Sequence, residues 1–101
     1  MAMFFALHTP IGDPTAGWEF FAKAAPPLAA AMEAGKMPAR AITTYNPAAY
    51  GRGDYVFCLW EAEKAEDVVT VLDESGLSKI VTTDLMQVDA IDWKELAKAA
   101  Q

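Results

Sequence analysis

One short apolar run, residues 55–61, constrains the fold more than any other part of the chain. It reads Tyr-Val-Phe-Cys-Leu-Trp-Glu, so side chains on both of its faces are apolar until the run ends in a carboxylate. A short continuous run rich in aromatic and β-branched residues is typical of a buried strand. We therefore predict an inner strand of a sheet, with helices over one face and an equally apolar surface against the other.

The rest of the chain predicts three further strands and three helices around this run. Asp13 is a suitable N-cap for the first helix and Pro14 suits its first position. Pro26 and Pro27 interrupt the same helix and predict a kink or two abutting helices. The predicted strands cover residues 3–8, 39–45, 55–61 and 80–91, and the predicted helices cover residues 14–34, 63–75 and 92–100.

This order of elements, β-α-β-β-α-β with a short C-terminal helix, predicts an α+β fold of the ferredoxin-like type. Right-handed crossovers place both main helices on one face of an antiparallel four-stranded sheet. We expect residues 1–101 to form a single domain, since this length is close to the commonest domain size. The opposite face of the sheet is then bare, and an apolar bare face indicates an interface or a ligand site.

Composition narrows the partners of such a domain. Apolar residues make up 53% of the chain, more than the roughly 45–50% of typical soluble domains. A small domain buries such a surplus around an enclosed cavity or against a second copy, so we expect a homodimer. The net charge of −6 argues against nucleic acid and anionic membranes as partners. The single cysteine, Cys58, forms no internal disulfide, and the first residues lack the basic start of a signal peptide, so we expect a cytoplasmic protein.

Strand alternation suggests which side chains share a face of the sheet. We expect Trp60 to pack under the helices together with Cys58 and Val56, because Trp60 directly precedes the second helix. Phe57 and Leu59 then face the bare side. The same alternation in the first strand predicts that three residues face that bare side: Phe4, Ala6 and His8.

We expect the first and third strands to be parallel neighbours in this topology, which predicts a candidate site. Their C-terminal ends, His8 and Glu61, then lie at one end of the sheet on the same face, with Arg40 and Asp84 close by. A carboxylate beside an imidazole raises its basicity, so His8 and Glu61 are the candidate catalytic residues. The expected ligand-binding residues around them are Phe4, Ala6, Phe57, Leu59, Arg40 and Asp84.

The strand of residues 55–62 leading directly into a helix, and a first strand that ends His8-Thr9-Pro10, resemble the dimeric α/β-barrel superfamily. Its members include antibiotic-biosynthesis monooxygenase-like proteins, muconolactone-isomerase-like proteins and small polyketide cyclases. The Cys-Leu-Trp-Glu-Ala segment is most similar to uncharacterised bacterial members. The resemblance implies a ferredoxin-like subunit whose open sheet face closes on that of a second copy. Fold likeness alone does not carry over an activity.

Three functions are compatible with these features. The first is a cofactor-independent isomerase, cyclase or monooxygenase that uses His8 as general base on a small, largely apolar organic molecule in a cavity on the bare sheet face. The second is a non-catalytic module that binds such a molecule, and the third is a purely structural dimer. One His and one Cys are too few for a structural zinc site, so we expect no metal, although His8, Glu61 and Asp84 together are a conceivable hard-metal site. No nucleotide-binding or serine-hydrolase motif is present, and we expect no cofactor.

Overall fold

The computed structural model describes residues 1–100 and contains a four-stranded antiparallel sheet with helices on one face. The sheet order is β2-β3-β1-β4, the ferredoxin-like arrangement that the order of elements predicted. The strands are β1 (Ala2–Pro10), β2 (Ala39–Tyr45), β3 (Val56–Ala62) and β4 (Val81–Val88), and the helices are α1 (Pro14–Glu33), α2 (Ala65–Glu74) and α3 (Trp93–Ala99). No helix of residues 1–100 is both long and apolar enough to cross a lipid bilayer.

Local sequence signals account for where the helices begin and end. The Asp13 carboxylate accepts a hydrogen bond from the Thr15 backbone N–H at 3.0 Å, and Pro14 occupies the first turn of α1. After α2 the chain reverses at Gly76, whose φ of +83° is a left-handed conformation that favours glycine. The prediction of two abutting helices at Pro26 was wrong, because α1 continues through both prolines as one element of 20 residues.

The direction of β3 corrects the predicted site. β1 and β3 are neighbours, but they run antiparallel: Met3 lies opposite Glu61, and His8 lies opposite Val56. The crossover through α1 makes β1 parallel to β2, and the hairpin between β2 and β3 then reverses β3. The C-terminal ends of β1 and β3 are therefore at opposite ends of the sheet.

The faces of β1 are also the reverse of those expected. Phe4 lies directly opposite Trp60 and shares its face, and Phe4, Ala6 and His8 are all buried on the side covered by the helices. The placement of Cys58 and Trp60 under the helices is confirmed. The uncovered side, called the open sheet face below, carries Phe5, Leu7, Phe57, Leu59 and Met86.

The two main helices pack on the sheet with different tightness. α2 places Val68, Val71 and Leu72 fully in the core. α1 is twice as long and has an apolar stripe that includes Phe21 and Leu28, yet none of its residues is fully buried. A long apolar helix face that stays only half buried indicates that space separates α1 from the sheet beneath it.

Candidate functional site

A cavity of about 220 Å³ fills the space between α1 and the sheet. The stripe of α1 forms its roof, β2 and β3 form most of its floor, and the segment before β4 closes one end. The lining residues that matter most for its chemistry and shape are His8, Gly17, Trp18, Phe21, Ala25, Leu28, Met32, Thr44, Val56, Cys58, Trp60, Leu77 and Ile80.

The lining of this cavity carries no formal charge. Among residues 1–100, no Asp, Glu, Lys or Arg contributes to it, although such residues make up 22% of the chain. An ionic ligand would lose its hydration there without gaining a partner of opposite charge. Burying an ion in this way costs on the order of several kcal/mol per charge. An apolar cavity of about 150 Å³ is already large enough to hold benzene. The cavity is therefore suited to a neutral molecule of one or two rings.

His8, the only histidine of the chain, lies at the wall of this cavity and is 5% exposed. Its Nδ1 lies 2.7 Å from the Thr83 hydroxyl oxygen, and its Nε2 makes no hydrogen bond with residues 1–100. Burial lowers the pKa of His8 from 6.5 to about 4. The imidazole is therefore neutral at pH 7 and is a weaker base than an ordinary histidine.

Trp60 also lines this cavity. Its side chain is 2% exposed, and its indole N–H is buried without a hydrogen-bond acceptor among residues 1–100. An unsatisfied buried donor costs about 1–3 kcal/mol, and native structures rarely leave one unexplained. A ligand oxygen that accepts this hydrogen would remove the penalty.

Cys58 also lies in the cavity wall, and its thiol is not activated for reaction. Its sulfur lies 3.1 Å from the Thr44 hydroxyl. Burial raises the pKa of the Cys58 thiol. The Thr44 hydroxyl and the nearby Trp60 indole lower it by a smaller amount. The indole N–H itself does not meet hydrogen-bond geometry with the sulfur. The thiol remains protonated at neutral pH and behaves as a small, weakly polar part of the wall.

The predicted pairing of His8 with Glu61 does not exist. His8 is five positions along β1 from Met3, which lies opposite Glu61, a distance of about 16 Å along a strand. Glu61 instead accepts a hydrogen bond from Arg40 Nε at 2.8 Å, and Arg40 Nη1 donates one to the Glu33 carboxylate at 3.0 Å. Both hydrogen bonds raise the pKa of the Arg40 guanidinium, and the one to Glu61 has the larger effect. Arg40 thus ties the end of α1 to the sheet, far from His8.

The remaining predicted site residues lie outside the cavity. Phe57 and Leu59 are on the open sheet face, as expected, and Asp84 lies opposite Leu7 on that same face rather than beside the imidazole. Phe4 and Ala6 are buried in the core. No group of three potential metal-ligating His, Cys, Asp or Glu side chains occurs in residues 1–100, so His8, Glu61 and Asp84 do not come together.

The sequence interpretation missed that Trp60 and the stripe of α1 line a cavity. It placed Trp60 under the helices as a packed residue and predicted no space beside it. Small residues do occur along the roof, at Gly17 and Ala25, where they leave room beneath the helix. That alternation of large and small residues was the one signal that pointed to a space.

Comparisons with known proteins give a structural likeness but no match in sequence. No protein-family model and no curated protein sequence matches the chain. A crystal structure of a variant of SnoaB, a cofactor-independent oxygenase from Streptomyces nogalater, is similar over 90% of this chain and 93% of its own, with a TM-score of 0.46 and 13% sequence identity.

Proposed function

We propose that the protein binds a small, neutral, largely apolar organic molecule in the cavity beneath α1. The observation that carries this proposal is an uncharged cavity of about 220 Å³ lined by Trp60, whose buried indole N–H has no acceptor among residues 1–100. Trp60 would donate this hydrogen to a carbonyl or hydroxyl oxygen of the ligand. The half-buried side chains of α1 would pack against the ligand's rings and bury its apolar surface.

A matched pair of bicyclic probes, 1-tetralone and tetralin, tests this proposal, because the two differ only by a carbonyl group. One hydrogen bond contributes about 0.5–1.5 kcal/mol, so we expect the ketone to bind about three to ten times more tightly. Trp60→Phe should remove this preference while tetralin still binds. Titration calorimetry of both probes against each protein measures the effect.

The chain offers a control for this substitution. Trp93 is 80% exposed in α3, so Trp93→Phe should retain the full preference for the ketone. Thermal unfolding of both variants checks that each is folded. Equal affinity of the unaltered protein for the two probes would contradict the role of Trp60, and no binding of either probe would contradict the cavity as a ligand site.

Catalysis on the same ligand is the second candidate function. The imidazole of His8, in the cavity wall, favours this function. Its Nε2 has no hydrogen-bond partner among residues 1–100, so it is free to exchange a proton with a ligand. A cofactor-independent isomerase, cyclase or monooxygenase would use His8 in this way. The lowered pKa makes His8 a weak base, so binding without chemistry is the better-supported proposal.

A symmetric dimer through the open sheet face belongs to the same proposal. The chain exposes 6646 Å² of surface, whereas a compact monomer of 10.9 kDa exposes about 5,600 Å². The excess of about 1,000 Å² is comparable to the roughly 800 Å² that each partner buries in a standard interface. A second copy would cover the aromatic side chains of that face.

A further inference from the structure

The two halves of α1 are attached to the sheet in different ways. Near its C-terminal end, Glu33 accepts a hydrogen bond from Arg40 at 3.0 Å, and the Met32 sulfur accepts one from the Ala41 backbone N–H at 3.3 Å. The N-terminal half, residues 14–25, makes no side-chain hydrogen bond or ion pair with the sheet among residues 1–100. Its polar contacts are those with its own cap, Asp13. Apart from the short link of residues 11–13 to β1, in which the Ile11 N–H donates to the Ile80 carbonyl at 2.8 Å, only apolar packing holds this half against the sheet.

A weak point separates the two halves. Pro26 and Pro27 have no backbone N–H, so the helix lacks the two hydrogen bonds that would otherwise reach the carbonyls of Ala22 and Lys23. Sharp bends in helices occur at such positions. The break lies between the half that is tied to β2 and the half that is not, which is where a hinge must lie for one half to move alone.

The untied half covers the end of the cavity at which His8 lies. Gly17, Trp18 and Phe21 line the cavity there with Val56 from β3, and none of the three helix residues is fully buried. We propose that residues 14–25 form a lid that pivots at Pro26 and Pro27 to admit the ligand at the His8 end. This inference rests on the proposed function, because a lid matters only if the cavity takes up a ligand.

A disulfide across the proposed lid provides the test. A Cβ atom built on Gly17 lies 3.9 Å from the Cβ of Ile80, within the range of about 3.5–4.5 Å that disulfides adopt. The variant Gly17→Cys/Ile80→Cys is made with Cys58→Ala, so that only the new pair oxidises. We expect oxidation to slow the association of 1-tetralone by at least about tenfold and reduction to restore it, since a closed lid blocks entry. Stopped-flow tryptophan fluorescence gives both rates for the same protein.

The outcomes separate the lid from the binding site. Equal association rates in the oxidised and reduced forms would overturn the lid and leave ligand binding intact. No binding by the unaltered protein would overturn the proposed function itself.

A second variant decides the matter if the disulfide does not form. Pro26→Ala/Pro27→Ala restores the two missing backbone hydrogen bonds, and neither proline lines the cavity. A stiffer helix should slow entry and release of 1-tetralone several-fold while the equilibrium affinity stays close to that of the unaltered protein. Unchanged rates in a folded variant would overturn the hinge.

Discussion

Between pH 7 and pH 4, His8 alone should cost the folded protein about 3 kcal/mol of stability. The pKa of His8 is about 4 in the folded chain, against 6.5 for an ordinary histidine. Between these values the unfolded chain binds a proton that the folded chain does not. The contribution is therefore complete above about pH 6.5 and is lost as the pH falls towards 4. Protonation favours unfolding because a charged imidazole cannot stay in the uncharged cavity wall.

The variant His8→Gln isolates this effect from the carboxylates, which titrate in both proteins. We expect the free energy of unfolding of the unaltered protein to exceed that of His8→Gln by an amount that shrinks as the pH falls from 6.5 to 4. Denaturant unfolding at each pH measures the difference. Because His8 is the only histidine, its imidazole NMR signals give its pKa directly. A value near 6.5 in the folded protein would contradict its burial in the cavity wall.

Phe57→Lys is expected to convert the proposed dimer into a monomer. Phe57 lies on the inner strand β3 and on the open sheet face, with its ring centroid 5.8 Å from that of Phe5 and 6.3 Å from that of Tyr55. A two-fold interface contains each substitution twice, so it loses two buried rings and gains two buried charges. We expect the dimer dissociation constant to rise by at least about a thousandfold, equivalent to about 4 kcal/mol. Sedimentation velocity over a range of concentrations measures it.

Tyr50→Lys is the matched control for this substitution. Tyr50 lies in the short 3-10 helix Pro47–Tyr50 between β2 and β3 and is 90% exposed. The same change from aromatic to cation there should leave the assembly unaltered. A monomer of 10.9 kDa for the unaltered protein at micromolar concentration would contradict the dimer at once.

Local signals predicted most of the fold. The bounds of β2 agree with the predicted residues 39–45, and the Asp13 cap and the C-terminal helix occur where they were expected. These features depend on a few neighbouring residues. The last strand was predicted too long, as residues 80–91, since β4 ends at Val88.

The candidate site was predicted less well because it depends on contacts between distant segments. Residues 3–7 of β1 are apolar on both faces, so alternation alone did not show which face meets the helices. That choice is fixed by Phe4, which lies opposite Trp60. The direction of β3 was available from the connections, because one helical crossover and one hairpin make β1 and β3 antiparallel. The cavity itself arises from how far α1 stands off the sheet, and the periodicity of a helix does not encode that distance.

The most direct test of the account is to locate 1-tetralone on the isotope-labelled protein by intermolecular nuclear Overhauser effects. Binding beneath α1 requires contacts from the ligand to Trp60, Phe21 and Leu28 in the cavity wall. Contacts confined to Phe57 and Leu59 on the open sheet face, with none to Trp60, would contradict the account.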